Sequence, residues 1–138
     1  YRILFVGHEN NRASQIAEAY AEKAYPKSGI YTSSGVNPAS ELDPALVEFM
    51  DELGMDVRHK MPSAFETPLD SVQPYHVIIA LEEDVLKHIT EVPFRTIVLE
   101  WLIDIPKGFS QEVLGDLYKM VAVRVQDLMK TLAGPDAR

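Results

Sequence analysis

The chain has 138 residues, 46% of them apolar and 25% charged, the usage of one ordinary globular domain and not of a disordered or repeat-built chain. Its 13 basic and 21 acidic residues give a net charge of −8, a field that repels phosphates and argues against broad nucleic-acid binding, although a helix N-terminus can still hold an anion locally. There is no cysteine, so disulfides, thiolate metal sites and thiol nucleophiles are absent together, and any chemistry must use oxygen or nitrogen groups.

Residues 2–6 (RILFV) form a short apolar run bounded by Gly7, as expected of a strand buried on both faces. A polar stretch, GHENNRAS, follows. From Ala13 the apolar or small residues Ala13, Ile16, Ala17, Tyr20, Ala21 and Ala24 recur at helical spacing until Pro26. Residues 30–33 read as a second strand, closed by Ser34-Gly35 and Asn37-Pro38. A second helix is capped by Asp43-Pro44, carries Leu42, Ala45, Leu46, Phe49, Met50 and Leu53 on one face, and stops at Gly54.

Residues 77–81 (VIIAL) predict a third strand, 82–89 a short helix with an acidic start, and 96–99 (TIVL) a fourth strand. After a loop from Trp101 to Gly108, Val113, Leu114, Leu117, Val121, Val125, Leu128 and Leu132 predict a long final helix. Four alternations of strand and helix predict an α/β three-layer sandwich in one domain over residues 1–138. Its sheet is four-stranded and parallel, with helices on both faces and the first strand central. No run approaches the roughly 18 apolar residues of a membrane helix, and the chain opens into a strand where a secretory signal would be basic and then apolar. A cytoplasmic protein without membrane attachment is therefore expected.

Ligands of open parallel sheets bind at the carboxyl ends of strands, which points to residues 7–14, 33–38 and 101–106. The first loop leaves a strand, stays polar, and opens a helix whose first N–H groups face whatever the loop encloses. It reads either as a plain connection with Ser14 as helix cap, or as an anion cradle.

The stretch ILFVGHENNRASQIAEA resembles the opening of the low-molecular-weight protein tyrosine phosphatases and the related arsenate reductases: a hydrophobic strand, Cys, five loop residues, Arg, Ser, and a helix beginning near AEA. Tyr31-Thr32-Ser33-Ser34-Gly35 resembles the family's second strand and its S-[AS]-G turn. Leu53-Gly54-Met55-Asp56 resembles its L-G-I-D stretch, residues 77–83 its third strand and acidic exit, and residues 101–106 the loop that carries the general acid in an Asp-Pro pair.

The resemblance places Gly7 at the nucleophilic cysteine, Ala13 at the phosphate-binding arginine, and Ile105 at the general acid. Arg12 and Asp104 stand one residue early. Family chemistry needs a low-pKa thiolate, an arginine on the equatorial oxygens and an acid for the leaving group, and glycine cannot attack. Thioredoxin-coupled arsenate reduction further needs resolving cysteines, which the chain lacks.

Two readings follow. One is a non-catalytic domain that binds a phosphate- or sulfate-type anion or a protein partner. Its candidate site comprises Gly7, His8, Glu9, Asn10, Asn11, Arg12, Ala13, Ser14, Ser34 and Asp104, with no cofactor and no metal. The other is a phosphatase whose nucleophile was mutated or replaced by other chemistry. Asn10 and Ser14 match positions that brace the family loop, whereas Ala13 removes the bidentate clamp and Glu9 adds a like charge.

His8 reads as a rim residue facing solvent or as a replacement nucleophile; beside Glu9 it lacks a third metal ligand. Arg58, His59 and Lys60 read as a solvated charge cluster or as cationic supplements at the mouth. Met61, Phe65 and Trp101 read as wall or as core, with the large area of Trp101 favouring core.

Overall fold

A computed structural model describes residues 1–67, 69, 74–104 and 106–138. Its elements in chain order are β1 (Arg2–Gly7), α1 (Ala13–Ala24), β2 (Ile30–Gly35), α2 (Pro44–Glu52), β3 (Val77–Ala80), a 3-10 turn (Leu86–His88), β4 (Ile97–Glu100) and α3 (Gln111–Ala133). The strands make a four-stranded sheet in the order β2-β1-β3-β4, and every pairing is parallel. The chain leaves β1 toward β2 on one side and later places β3 on the other. The end of β1 is therefore the point where strand order reverses, which is where open α/β sheets form their crevice.

Alternate residues of β1 divide the core. Ile3 and Phe5 join Ile16, Leu46, Leu114, Leu117 and Val121 on the face covered by α1, α2 and α3. Leu4 and Val6 join Ile78, Ala80, Val85 and Ile89 on the other face. Burial of β1 on both faces explains its unbroken apolar run. Trp101 is buried and tilts against Phe5 at 6.2 Å between ring centroids, so it belongs to the core. Met61 is exposed, and Phe65 packs at the edge of the second cluster.

The sheet and its layers agree with the sequence pattern; among the described residues the helical cover on the second face is the 3-10 turn Leu86–His88. The helix expected over residues 82–89 does not form. Asp84 takes a left-handed backbone with φ 68°, which an α-helix cannot accommodate, and the residues before it turn back to contact His8. The second helix begins as read: the Asp43 carboxylate accepts from the Ala45 N–H at 2.8 Å, with Pro44 in the first turn. Among the described residues, no helix is long and apolar enough to cross a membrane.

Candidate functional site

Gly7 is the last residue of β1 and α1 begins at Ala13, so five residues make the turn from strand to helix. The turn is held from within by one side chain. Asn10 is buried and takes φ 54°, a left-handed conformation that asparagine tolerates better than most residues. Its amide nitrogen donates to Ser14 Oγ at 2.9 Å, and its amide oxygen accepts from Gln15 Nε2 at 3.1 Å and from the Ser63 N–H at 2.8 Å. The outside of the loop is sewn to the segment after β2, where the Asn37 N–H donates to the His8 carbonyl at 2.7 Å and the Ala39 N–H to the Glu9 carbonyl at 2.9 Å.

With the carbonyls drawn outward, the N–H groups of residues 9–14 donate to no acceptor among the described residues. Those of Ala13 and Ser14 are donors a helix start leaves over, those of residues 9–12 belong to the loop and cap, and together they make the turn a candidate anion cradle. Ser14 is not the helix cap. It is the second helical residue and takes the Asn10 amide, while Arg12 occupies the cap position without a side-chain cap bond.

His8, Glu9, Asn10, Asn11, Arg12, Ala13 and Ser14 line one open cavity of about 380 Å³ together with Glu82, Lys107, Gly108 and Phe109. Arg12 turns toward the far wall, where its guanidinium donates to the Pro106 carbonyl and, at 3.2 Å, to the Gly108 carbonyl, with its Cζ 5.5 Å from the Phe109 ring centroid. It anchors the wall and does not clamp the centre. Asn11 donates to the Glu9 carboxylate at 3.0 Å, and Ala13 is buried at the edge of the core.

Two candidates stand apart from this cavity. Asp104 lies in an adjoining hollow with His8, Glu82 and Glu83. Ser34 is buried on the far side of β2, in a hollow shared with Ser63 and Phe65, and its Oγ has no partner among the described residues. Ile105 lies outside the described residues. His8 is half-buried, not a free rim side chain, because its Nε2 bonds the Glu83 carbonyl at 2.7 Å.

The basic cluster does not supplement the mouth. Lys60 folds onto the carboxylates of Glu18 and Glu22. Burial pushes its ammonium pKa down, but hydrogen bonds and charge from both carboxylates outweigh this and carry it upward. Arg58 pairs with Asp56 at 2.9 Å and holds that carboxyl well below the usual range by hydrogen bonding. Of the two cations that line the cavity, Arg12 is bonded to the far wall, and the other is Lys107. Among the described residues no group of three or more His, Asp or Glu could hold a metal ion.

The residue that sequence reasoning passed over is Glu82. Its Oε2 accepts from the His8 N–H at 2.6 Å and lies 2.7 Å from where a Cβ on Gly7 would stand. The register puts it there: Ala80 pairs with Val6, and the Leu81 N–H donates to the Val6 carbonyl, so the next residue emerges beside Gly7. That pairing was the available signal, since two adjacent parallel strands release their following residues side by side.

Residues 2–135 match the family model described as low molecular weight phosphotyrosine protein phosphatase. Among solved structures the chain is similar to an arsenate reductase in the phosphate binding state, with 25% identity, a TM-score of 0.81, and coverage of 96% of this chain and 98% of that one. It is also similar to Vibrio vulnificus Wzb in complex with benzylphosphonate, at 22% identity, TM-score 0.77 and coverage of 95% and 98%. A tyrosine phosphatase of Erwinia amylovora, amsI, matches at 17% identity and TM-score 0.78, over 96% and 93%. At their lower identities the last two bear on the fold alone.

Proposed function

We propose that this chain, which belongs to the low molecular weight phosphotyrosine protein phosphatase family, works by binding and not by turnover: a non-catalytic, cytoplasmic member that takes a tetrahedral oxyanion, free or carried on a protein partner, at the loop of residues 7–14. The observation that carries the reading is Gly7. The residue that closes β1 beneath the loop has no side chain, and the chain contains no cysteine elsewhere to replace a thiolate. A carbon-bound hydrogen cannot attack phosphorus. The one imidazole in the loop, His8, already spends its Nε2 on the Glu83 carbonyl.

Binding needs less than catalysis. The brace of Asn10, Ser14 and Gln15 keeps the turn wound, and the N–H groups it exposes are donors suited to anionic oxygens. The similar arsenate reductase in its phosphate binding state supports this class of ligand. Without an arginine reaching the centre, affinity rests on backbone donors and on Lys107, so binding of inorganic phosphate is expected to be weak.

The test pairs two measurements on the purified protein. Hydrolysis of p-nitrophenyl phosphate should not exceed background between about pH 5 and pH 8, the range in which an acid and base of ordinary pKa would act. Titration with inorganic phosphate, followed by ³¹P line broadening, should saturate and should weaken in Asn10→Ala. Turnover that disappears in His8→Ala would overturn the non-catalytic reading. Absence of saturable phosphate binding would overturn the oxyanion.

A further inference from the structure

The cradle already holds a negative charge of its own. From the contact between Glu82 and the start of the loop we infer that Glu82 is the resident anion of this site. It is a tethered carboxylate that seats on the first loop donor and decides whether a free oxyanion can enter. The inference rests on the oxyanion reading above and specifies what limits it.

Three observations carry it. The Oε2 of Glu82 accepts from the His8 N–H at 2.6 Å, a short bond of the charge-assisted kind. The same oxygen stands 2.7 Å from the Cβ position of Gly7, closer than real Cβ contacts come. The carboxylate thus uses space that any side chain at position 7 would claim, and the glycine and the seated carboxylate depend on one another. Finally, Glu82 and His8 both line the loop cavity and the adjoining hollow that contains Asp104, so the contact between them lies at the boundary of the two.

The electrostatic consequence is direct. A dianion in the loop would meet a carboxylate at hydrogen-bond range with no arginine between them, since Arg12 is committed to the carbonyls of Pro106 and Gly108. Like charges at such separation repel strongly in a partly desolvated site. Entry therefore requires Glu82 to swing out. The His8 N–H, the first donor of the loop, holds the carboxylate meanwhile, so a ligand that reaches this donor exchanges one anion for another and forfeits affinity by the strength of the internal contact.

The experiment compares wild type, Glu82→Gln and Glu82→Ala, each confirmed folded by circular dichroism, in titrations with inorganic phosphate and with tungstate. Glu82→Ala should tighten phosphate binding by roughly tenfold or more, and Glu82→Gln by a smaller factor, because the amide oxygen still accepts from His8. A ligand-free readout accompanies it: the His8 backbone amide proton should resonate far downfield in wild type and move upfield in Glu82→Ala. Equal phosphate affinity in wild type and Glu82→Ala would overturn the gate and leave the oxyanion reading standing. No binding in any variant would overturn both, and an unmoved His8 amide would show that the carboxylate is not seated there.

Discussion

Gly7 and Gly35 face one another on the last rung of the β1–β2 ladder, yet a methyl group added to each would meet different neighbours. At Gly7 the nearest atom is the far end of the Glu82 side chain, 2.7 Å away. At Gly35 the neighbours are backbone: the His8 carbonyl oxygen at 2.7 Å, the Asn10 nitrogen at 2.8 Å and the Glu9 carbonyl carbon at 2.9 Å. A side-chain end can rotate away, whereas backbone held by its own hydrogen bonds cannot. Gly7→Ala should therefore cost about 1 kcal/mol or less, and Gly35→Ala about 3 kcal/mol, because it pushes the loop off β2. Urea denaturation of both variants checks this, and equal losses would mean that the loop yields as easily as Glu82 does.

The single buried asparagine supports a second prediction. Asn10 makes three hydrogen bonds and sits at φ 54°. Asn10→Ala removes all three and leaves a Cβ residue in a left-handed conformation, for a loss of about 3–4 kcal/mol. Asn10→Gly loses the same bonds without the conformational strain and should be less damaging by about 1 kcal/mol. If both variants unfold at the same urea concentration, the side-chain bonds carry the whole effect.

This brace also shows how far the sequence could be read. Asn10 and Ser14 were legible as loop braces because the family pattern fixes their spacing from the strand, and apolar periodicity gave the four strands and three of the four expected helices in the right order, the helix read over residues 82–89 being the exception. The orientation of Arg12 was not legible, since it depends on carbonyls of Pro106 and Gly108 some 94 to 96 residues away. The same holds for Lys60. Next to Arg58 and His59 it reads as part of a basic cluster, but the fold brings Glu18 and Glu22 of α1 onto it from 42 and 38 residues earlier. Local sequence reports which groups are charged, and tertiary pairing decides which of those charges remain available to a ligand.

A third prediction concerns alkaline stability. Tyr31 is buried, and burial, followed by the neighbouring Tyr25, pushes its phenol up to about 12 from an ordinary value of 10.0. Its hydroxyl donates to the Tyr25 carbonyl at 2.7 Å. Because the folded pKa lies above the unfolded one, the contribution is complete below about pH 10 and is lost as pH rises toward 12. Lys60, also shifted upward, acts in the same direction above its ordinary value of 10.5. Tyr31→Phe should cost about 1 kcal/mol at neutral pH through the lost hydrogen bond. Its urea midpoint should then fall less steeply than that of wild type between about pH 10 and pH 12. Parallel curves would remove Tyr31 from the alkaline transition.

The last prediction places a thiol where the sequence has none. In Gly7→Cys the new side chain would enter beneath the N–H groups that open α1, an environment that lowers a thiol pKa. It would also arrive beside the carboxylate of Glu82, whose oxygen stands 2.7 Å from the Cβ position, and a like charge raises a thiol pKa. The nearer influence is the carboxylate. The alkylation rate with iodoacetamide, measured against pH, should therefore show a midpoint no lower than the ordinary thiol value of about 8.5. Adding Glu82→Gln removes the charge and leaves the donors, so the midpoint should drop by about one unit or more. Adding Ala13→Arg would bring a cation to the edge of the cavity and lower it further, provided that the burial of Ala13 in the core cluster is relieved by a turn toward the opening. Hydrolysis of an aryl phosphate should appear in the same order, strongest where all three substitutions are combined. Coincident pH profiles with and without Glu82→Gln would mean that the carboxylate leaves once position 7 has a side chain, and that the loop donors alone set the reactivity of the thiol.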